Sequence, residues 1–360
     1  MGYEFKGIKK RIPLLLSMPH SYARYAASAL LRAGIAAEDI RVTPFGLRVM
    51  TDDMAAVTGC RLYERLYLTI PIKRGEKLTC ENAGQTIGTS MLKRILDSYI
   101  KGERPIPTRI RVEVPATGTG KRAIERMRDE ESRVAGIFTD AIKEALPQDI
   151  EIVTSGYECE IFLPGRPDGT YGMYLWCACM GDGRFSYRRA LEPTSMSAVR
   201  AATMIEMLHP YIIEEDSVLD PFCGTGTLVI ERRRHGRTGN VFGTDISERM
   251  IAGARENAAL SSEHIHFIQR DFFDFTYDGF FDEIITELPD LYHRSEREKR
   301  SFFGAFLKKC LSITAEGAVF GILTGEADIF SMELKRYREL ETAETIGFGG
   351  KREVFVLRRL

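Results

Sequence analysis

No two cysteines in this sequence stand at the CxxC spacing of a metal site, no apolar run approaches membrane length, and net charge is nearly absent. Seven cysteines are scattered along 360 residues. Cys177 and Cys179 alternate on a strand-like stretch and face one side, but no second ligand pair accompanies them. An odd number without spacing reads as reduced thiols of a cytoplasmic chain, with no metal and no disulfide framework. The segment Met1–Arg11 is polar and basic, and the apolar run at Ile12–Leu16 is too short for a signal peptide or for the roughly 20 residues of a membrane span. A formal charge of −1 names no partner by itself. Its distribution is uneven: residues 1–170 carry about +4 and the remainder about −5, which mildly favours a polyanion-facing amino-terminal part. Repeats and low-complexity tracts are also missing.

What is present is an ordinary globular composition, 44% hydrophobic and 28% charged, over a length that suits two or three units. The first stretch reads strand, helix, strand pair, helix, strand, an α+β unit ending near residue 75. A second begins with a helix over Met91–Ile100 and a strand over Arg109–Val114. It continues through the loop Pro115–Gly120 into a helix from Lys121 to about Ala145, then further strands that include Gly172–Met180. From about residue 196 the pattern becomes a regular β–α alternation, which predicts a doubly wound, mostly parallel sheet.

The most informative string is Asp220-Pro221-Phe222-Cys223-Gly224-Thr225-Gly226-Thr227, an apolar strand running through a glycine turn into a helix. Glycine lets the backbone come close to a ligand, and the helix start offers unpaired N–H groups. No third glycine follows as in a dinucleotide loop, and no Gly-Lys-Ser/Thr as in a phosphate loop. The string resembles motif I of class I S-adenosylmethionine-dependent methyltransferases, in the form found in nucleic-acid enzymes. That resemblance implies S-adenosylmethionine as cofactor. Asp245, followed by Ile246, ends the next strand, where a carboxylate can accept both ribose hydroxyls. Asp271 ends the third, where it can accept the adenine amino group with Phe272 beside the ring. Taken singly, either acid reads more readily as a helix cap or turn residue; the two together at successive strand ends after this motif favour the cofactor reading.

The fourth strand leads into Glu287-Leu288-Pro289-Asp290, with Tyr292 beyond. Enzymes that methylate exocyclic amines resemble this, with Asn/Asp-Leu-Pro-Phe/Tyr in one subgroup. Such an amine is a weak nucleophile, and two acceptors oriented in line with the methyl group are what it needs. Here Glu287 keeps an acceptor with one more methylene, and Asp290 stands where the stacking ring is expected, so Tyr292 is the substitute ring. Two readings follow: an active enzyme with Glu287 and the Leu288 carbonyl as acceptors, or an RNA-binding protein whose transferase domain is impaired or has moved to another substrate.

Ahead of motif I, Gly183–Arg189 and Glu192-Pro193-Thr194-Ser195-Met196 look like the corresponding stretch of THUMP-domain RNA methyltransferases, among them tRNA guanine-N2-methyltransferases. The resemblance implies an α/β protein: a Rossmann-like, seven-stranded class I methyltransferase domain (196–360) preceded by α+β ferredoxin-like (1–75) and THUMP-like (76–165) units and a linker (166–195). It places Pro193–Met196 along the cofactor's methionine end. It further implies methyl transfer to guanosine N2, with tRNA as substrate partner, no membrane, and a monomer. RNA contacts are expected at Arg109, Arg111, Lys121, Arg122 and Arg126, at Arg188 and Arg189, and in the loop Arg294–Arg300, including Arg294. Interleaved acids such as Glu125 and Asp129 allow a solvated helix face instead.

Overall fold

The computed structural model describes residues 11–90, 92–93, 109–115, 121–146, 150–178 and 181–360, with the side chains of 121–131 outside the description. The expected helix Met91–Ile100 and loop Pro115–Gly120 lie largely outside the described residues. The chain forms two compact units that meet in sequence at Gly183/Arg184, with Arg24–Ala29 and Cys60–Leu62 grouped with the second.

The first unit is built on one mixed sheet. In chain order its elements are β1 (Ile12–Ser17), α1 (Ala23–Arg32), β2 (Ile40–Thr43), β3 (Gly46–Thr51), α2 (Met54–Gly59) and β4 (Arg65–Thr69). Then follow α3 (Ala83–Gly88), β5 (Arg109–Glu113), α4 (Lys121–Ala145), β6 (Glu151–Ile152), β7 (Cys159–Phe162) and β8 (Tyr174–Cys177). The strand order is β2-β3-β1-β4-β8-β7-β5-β6. Gly46 closes the β2–β3 hairpin at φ +131°, and a Cβ there would lie 2.0 Å from the Leu16 carbonyl oxygen. Helices α3 and α4 cover the β5–β8 half through Ile87, Phe138 and Ile142, packed on Ile110, Ile161 and Leu175.

The segment 166–195, expected as a linker, instead supplies β8, which pairs antiparallel with both β4 and β7 and joins the two halves of the sheet. Its sequence gives the reason. Tyr-Leu-Trp-Cys has no polar face, so only an interior strand position can bury it. Cys177 lies opposite Cys159 across β7–β8 with the sulfurs 2.8 Å apart.

The second unit carries α5 (Ala198–Leu208), β9 (Val218–Asp220), α6 (Thr227–His235), β10 (Val241–Asp245), α7 (Glu248–Ser261) and β11 (His266–Gln269). It continues with β12 (Phe281–Glu287), α8 (Glu296–Ile313), β13 (Thr314–Thr324), α9 (Ala327–Leu334), β14 (Leu340–Gly347) and β15 (Glu353–Arg359). Strand order is β11-β10-β9-β12-β13-β15-β14; the first five are parallel and β15 is antiparallel to both its neighbours. This is a Rossmann-like methyltransferase fold. The order reverses at β9, and a ligand crevice is expected outside the carboxyl ends there. Phenylalanines of α8, β12 and β13 fill one side of the sheet: Phe281, Phe303, Phe306 and Phe320 are fully buried. The expected loop Arg294–Arg300 is mostly helix. Ser295 forms a capping box with Glu298, which starts α8 at Glu296.

Candidate cofactor and substrate cleft

The glycine turn is fastened from three sides. Asp220, buried at the end of β9, accepts from the Phe222 amide at 3.1 Å and from the Thr286 hydroxyl at 2.7 Å, linking the turn to β12. The Cys223 amide donates to the Thr244 carbonyl at 2.9 Å, and the Gly224 amide to the Asp245 carboxylate at 3.0 Å, linking it to β10. Gly224 and Gly226 hold φ of +50° and +81°, and Gly226 is the N-cap residue of α6. Burial holds the Asp220 carboxyl at about 7, and the charge of Asp245 adds to the rise against the two bonds it accepts. Burial likewise pushes the Cys223 thiol upward, so it is an inert wall rather than a nucleophile.

A cleft of about 1160 Å³ opens above these strand ends. It brings together Pro193–Met196, Asp220–Thr225, Thr227, Asp245, Ile246, Asp271, Phe272 and the reactive segment Glu287–Pro289 with Asp290 and Tyr292. Of the residues singled out for cofactor and chemistry, Gly226 alone is off its surface. A Cβ on Gly226 would lie 2.9 Å from the Phe267 ring, so this glycine serves helix-on-strand packing. Phe272 is 1% exposed and packs on Phe222 with ring centroids 5.7 Å apart, so it backs the cleft more than it faces it. Ile246, 70% exposed, offers the open apolar surface. Asp271 also caps the short turn after β11, accepting from the Phe273 amide at 3.0 Å. Capping uses only part of a carboxylate's acceptor capacity, so the two readings of this residue are compatible.

The cleft fits a zwitterionic sulfonium nucleoside. The Thr227 hydroxyl, at the first turn of α6, is buried without a hydrogen-bond partner among the described residues. Beside it lies the helix start, which favours a carboxylate. Asp245 and Asp271 stand at the ends of neighbouring parallel strands, as a ribose and an adenine amine require. The Pro193–Met196 strap is held in place: the Ser195 hydroxyl meets the Thr225 hydroxyl at 3.1 Å.

Two residues with clear positions were missed in the sequence. Asn257 of α7 is fully buried and its amide makes four bonds: it accepts from the Arg189 and Ala190 amides and donates to the Ala190 and Thr225 carbonyls, all at 2.9–3.0 Å. It ties the strap to the glycine turn. Its only sequence signal was an amide on an otherwise apolar helix face. The other is Arg352, which ion-pairs with Glu287. The turn Phe348–Arg352 places it, closed by the Phe348 amide on the Arg352 carbonyl at 2.8 Å. Its guanidinium is held below its ordinary range by burial and by nearby Arg200. The contact fixes the Glu287 carboxylate at the edge of the cleft. Beyond it, Tyr292 is 66% exposed and lies against His293.

The expected RNA-contacting arginines divide. Arg188 is turned inward and donates to the Met196 carbonyl at 2.7 Å, so it supports the strap. Arg111 is held by Glu113, Tyr157 and Glu160, the last buried on the sheet. Arg109 pairs loosely with Glu151 at 3.7 Å, Arg294 with Glu298 at 3.3 Å, and Arg189 is exposed. Lys121, Arg122 and Arg126 have side chains outside the described residues.

Residues 213–315 match the model of a methyltransferase domain family. A stretch of 130 residues is 34% identical to a tRNA (guanine(10)-N2)-dimethyltransferase of Methanothermobacter thermautotrophicus, covering 35% of this chain and 38% of that relative. The match therefore spans well under half of the relative's length. Among solved structures, TrmN from Thermus thermophilus superposes with a TM-score of 0.70 at 19% identity, over 97% of this chain and 100% of its own. SMU.472, a putative methyltransferase complexed with SAH, gives 0.67 at 16% identity over 97% and 98%. At these identities the two structures speak for the fold. The carboxy-terminal unit is a class I S-adenosylmethionine-dependent methyltransferase domain, similar to that of a tRNA guanine-N2-methyltransferase.

Proposed function

We propose that the protein is an RNA methyltransferase that methylates the exocyclic N2 of a guanosine in tRNA, acting as a monomer in the cytoplasm. The observation that carries this reading is the Glu287 carboxylate, fixed by Arg352 at the rim of the cofactor cleft. A carboxylate only accepts hydrogen bonds. The Watson–Crick edge of guanine presents two adjacent donors, N1–H and N2–H. Adenine presents one donor beside an acceptor, which would face the carboxylate with a lone pair. A site built for the donor pair therefore discriminates against the base that lacks it.

In this reading Asp245 holds the ribose and Asp271 the adenine amine, while Pro193–Met196 and Thr227 enclose the methionine end. Bound there, S-adenosylmethionine supplies an electrophilic methyl group. Glu287 and the Leu288 carbonyl accept the two N2 protons and aim the nitrogen lone pair. As the N–C bond formed and the methyl–sulfur bond broke, leaving the neutral thioether, the surplus proton on nitrogen would pass to the Glu287 carboxylate. Tyr292 supplies the stacking ring for the extruded base in place of Asp290. Residues 1–75 and 76–165, read as ferredoxin-like and THUMP-like units, grip the RNA. The archaeal relative's activity on tRNA guanosine supports the same substrate.

The test is incubation of the full chain with unmodified tRNA and labelled S-adenosylmethionine, followed by nucleoside mass spectrometry. N2-methylguanosine is the expected product, and absence of methylated guanosine from both tRNA and ribosomal RNA rejects the substrate. Asp290, in place of a ring, favours one rival: an RNA-binding protein with an impaired transferase domain. That rival predicts cofactor binding without turnover.

A further inference from the structure

A second cleft, of about 840 Å³, lies outside the cofactor site between α8 and the end of α9. Its walls carry Arg297, Arg300, Lys308 and Arg336, against two acids, Glu296 and Glu333. Its floor is made of small residues, Ser301, Gly304 and Ala305. Gly304 leaves the floor open. A Cβ would lie 3.0 Å from the Glu333 carboxylate and 3.4 Å from the Tyr337 hydroxyl, which donates to the Gly304 carbonyl at 2.7 Å.

The charge arrangement is uneven. Glu333 is 2% exposed, and both Arg300 and Arg336 converge on it, at 3.4 and 2.8 Å. One buried carboxylate thus fixes two guanidiniums and neutralises one of them. Arg297 and Lys308 are exposed and have no ion pair among the described residues. The surplus sits in the half of the chain whose formal charge is about −5, so general basicity does not explain it. Arg297, Arg300 and Lys308 follow one face of α8 over eleven residues, or roughly 16 Å of helix. The stripe starts five residues after Tyr292, at the mouth of the cofactor cleft.

We infer that this groove holds the sugar–phosphate backbone of the RNA strand whose base enters the cofactor cleft. The inference rests on the RNA substrate proposed above and adds a second grip, on the catalytic unit itself. Two guanidiniums held by a buried carboxylate are pre-oriented, so they lose little freedom on meeting phosphate. Phosphate contacts of this kind fix register and carry no base preference.

The experiment compares the wild-type chain with the double variant Arg297→Glu/Lys308→Glu, and with Arg297→Lys/Lys308→Arg. Each is titrated with a pool of unmodified tRNA transcripts over a range of salt, and KM and kcat are measured for methyl transfer. The charge reversal is expected to weaken RNA binding roughly tenfold or more and raise KM in step. It should lower the slope of log K against log salt by about 2. Melting temperature, S-adenosylmethionine affinity and kcat at saturating RNA should stay near wild type, and the conservative pair should bind as wild type does. A wild type that methylates RNA beside a double variant with the same KM and salt slope overturns the groove and leaves the substrate reading standing. A wild type that neither binds nor methylates RNA overturns both. Loss of inorganic pyrophosphate binding with RNA affinity intact marks a small-anion pocket and overturns the RNA assignment.

Discussion

Replacing Glu283 by alanine strands a guanidinium in the core of the carboxy-terminal unit. Arg232 of α6 and Glu283 of β12 are 1% and 0% exposed and joined by two bonds of 2.8 and 2.7 Å. Among the described residues Arg232 otherwise donates to the Ile213 carbonyl, at 3.4 Å. Removing one member of such a pair costs about 3–5 kcal/mol, because the remaining charge is buried without compensation. In a unit of this size each kcal/mol moves the melting point by about 2–4 °C, so the single variant should melt roughly 10 °C lower. The double replacement Arg232→Met/Glu283→Leu keeps the volume and removes both charges, and should recover most of the loss. The pair links the helix after the glycine turn to the strand that ends in Glu287, so the single variant should also bind S-adenosylmethionine more weakly. Differential scanning calorimetry with a urea titration reads both variants. A single variant as stable as wild type, or a double variant no better than the single, refutes this account of the pair.

Four further outcomes follow from the site. Asp220, raised by burial to about 7, keeps its proton where the unfolded chain has lost it, so stability should fall as pH rises from about 4 to about 7 and level off above. Asp220→Asn should flatten that slope, worth on the order of 2–4 kcal/mol, in urea titrations across the window. Asn257→Ala removes four buried bonds to the Arg189 and Ala190 amides and the Ala190 and Thr225 carbonyls, and should cost about 2–4 kcal/mol and loosen the Pro193–Met196 strap, seen as weaker cofactor binding by calorimetry. Glu287→Gln should lower kcat by roughly a hundredfold or more with little change in cofactor affinity. Arg352→Gln should lower kcat less, since the Glu287 carboxylate loses the partner that fixes it in place.

The carboxy-terminal unit was legible because its signals are local. Strand, turn and helix around Asp220–Thr227 follow one another in the chain, and α5 lies at Ala198–Leu208 as its periodicity indicates. Motif spacing alone brought Asp245 and Asp271 to adjacent strand ends. Features that depend on distant partners were not legible. Arg352 meets Glu287 across 65 residues of sequence, and Asn257 meets Ala190 across 67. Arg188 sits among basic residues and reads as a phosphate contact, yet the nearest acceptor in space is a strap carbonyl. The strand within Gly172–Met180 was legible from its apolar run, but its role in joining β4 to β7, inside the stretch expected as a linker, is a matter of sheet order. The helix α9 was overlooked for a different reason: with eight residues it spans little more than two turns, too few for a helical period to show.

The most direct measurement is a calorimetric titration of the full chain with S-adenosylmethionine, run beside Asp245→Ala. The account predicts a one-to-one isotherm for the wild type and an affinity lower by roughly tenfold or more for the variant, which leaves two ribose hydroxyls unmet. Absence of binding by the wild type, or an Asp245→Ala chain that binds equally well, contradicts the placement of the donor in this cleft.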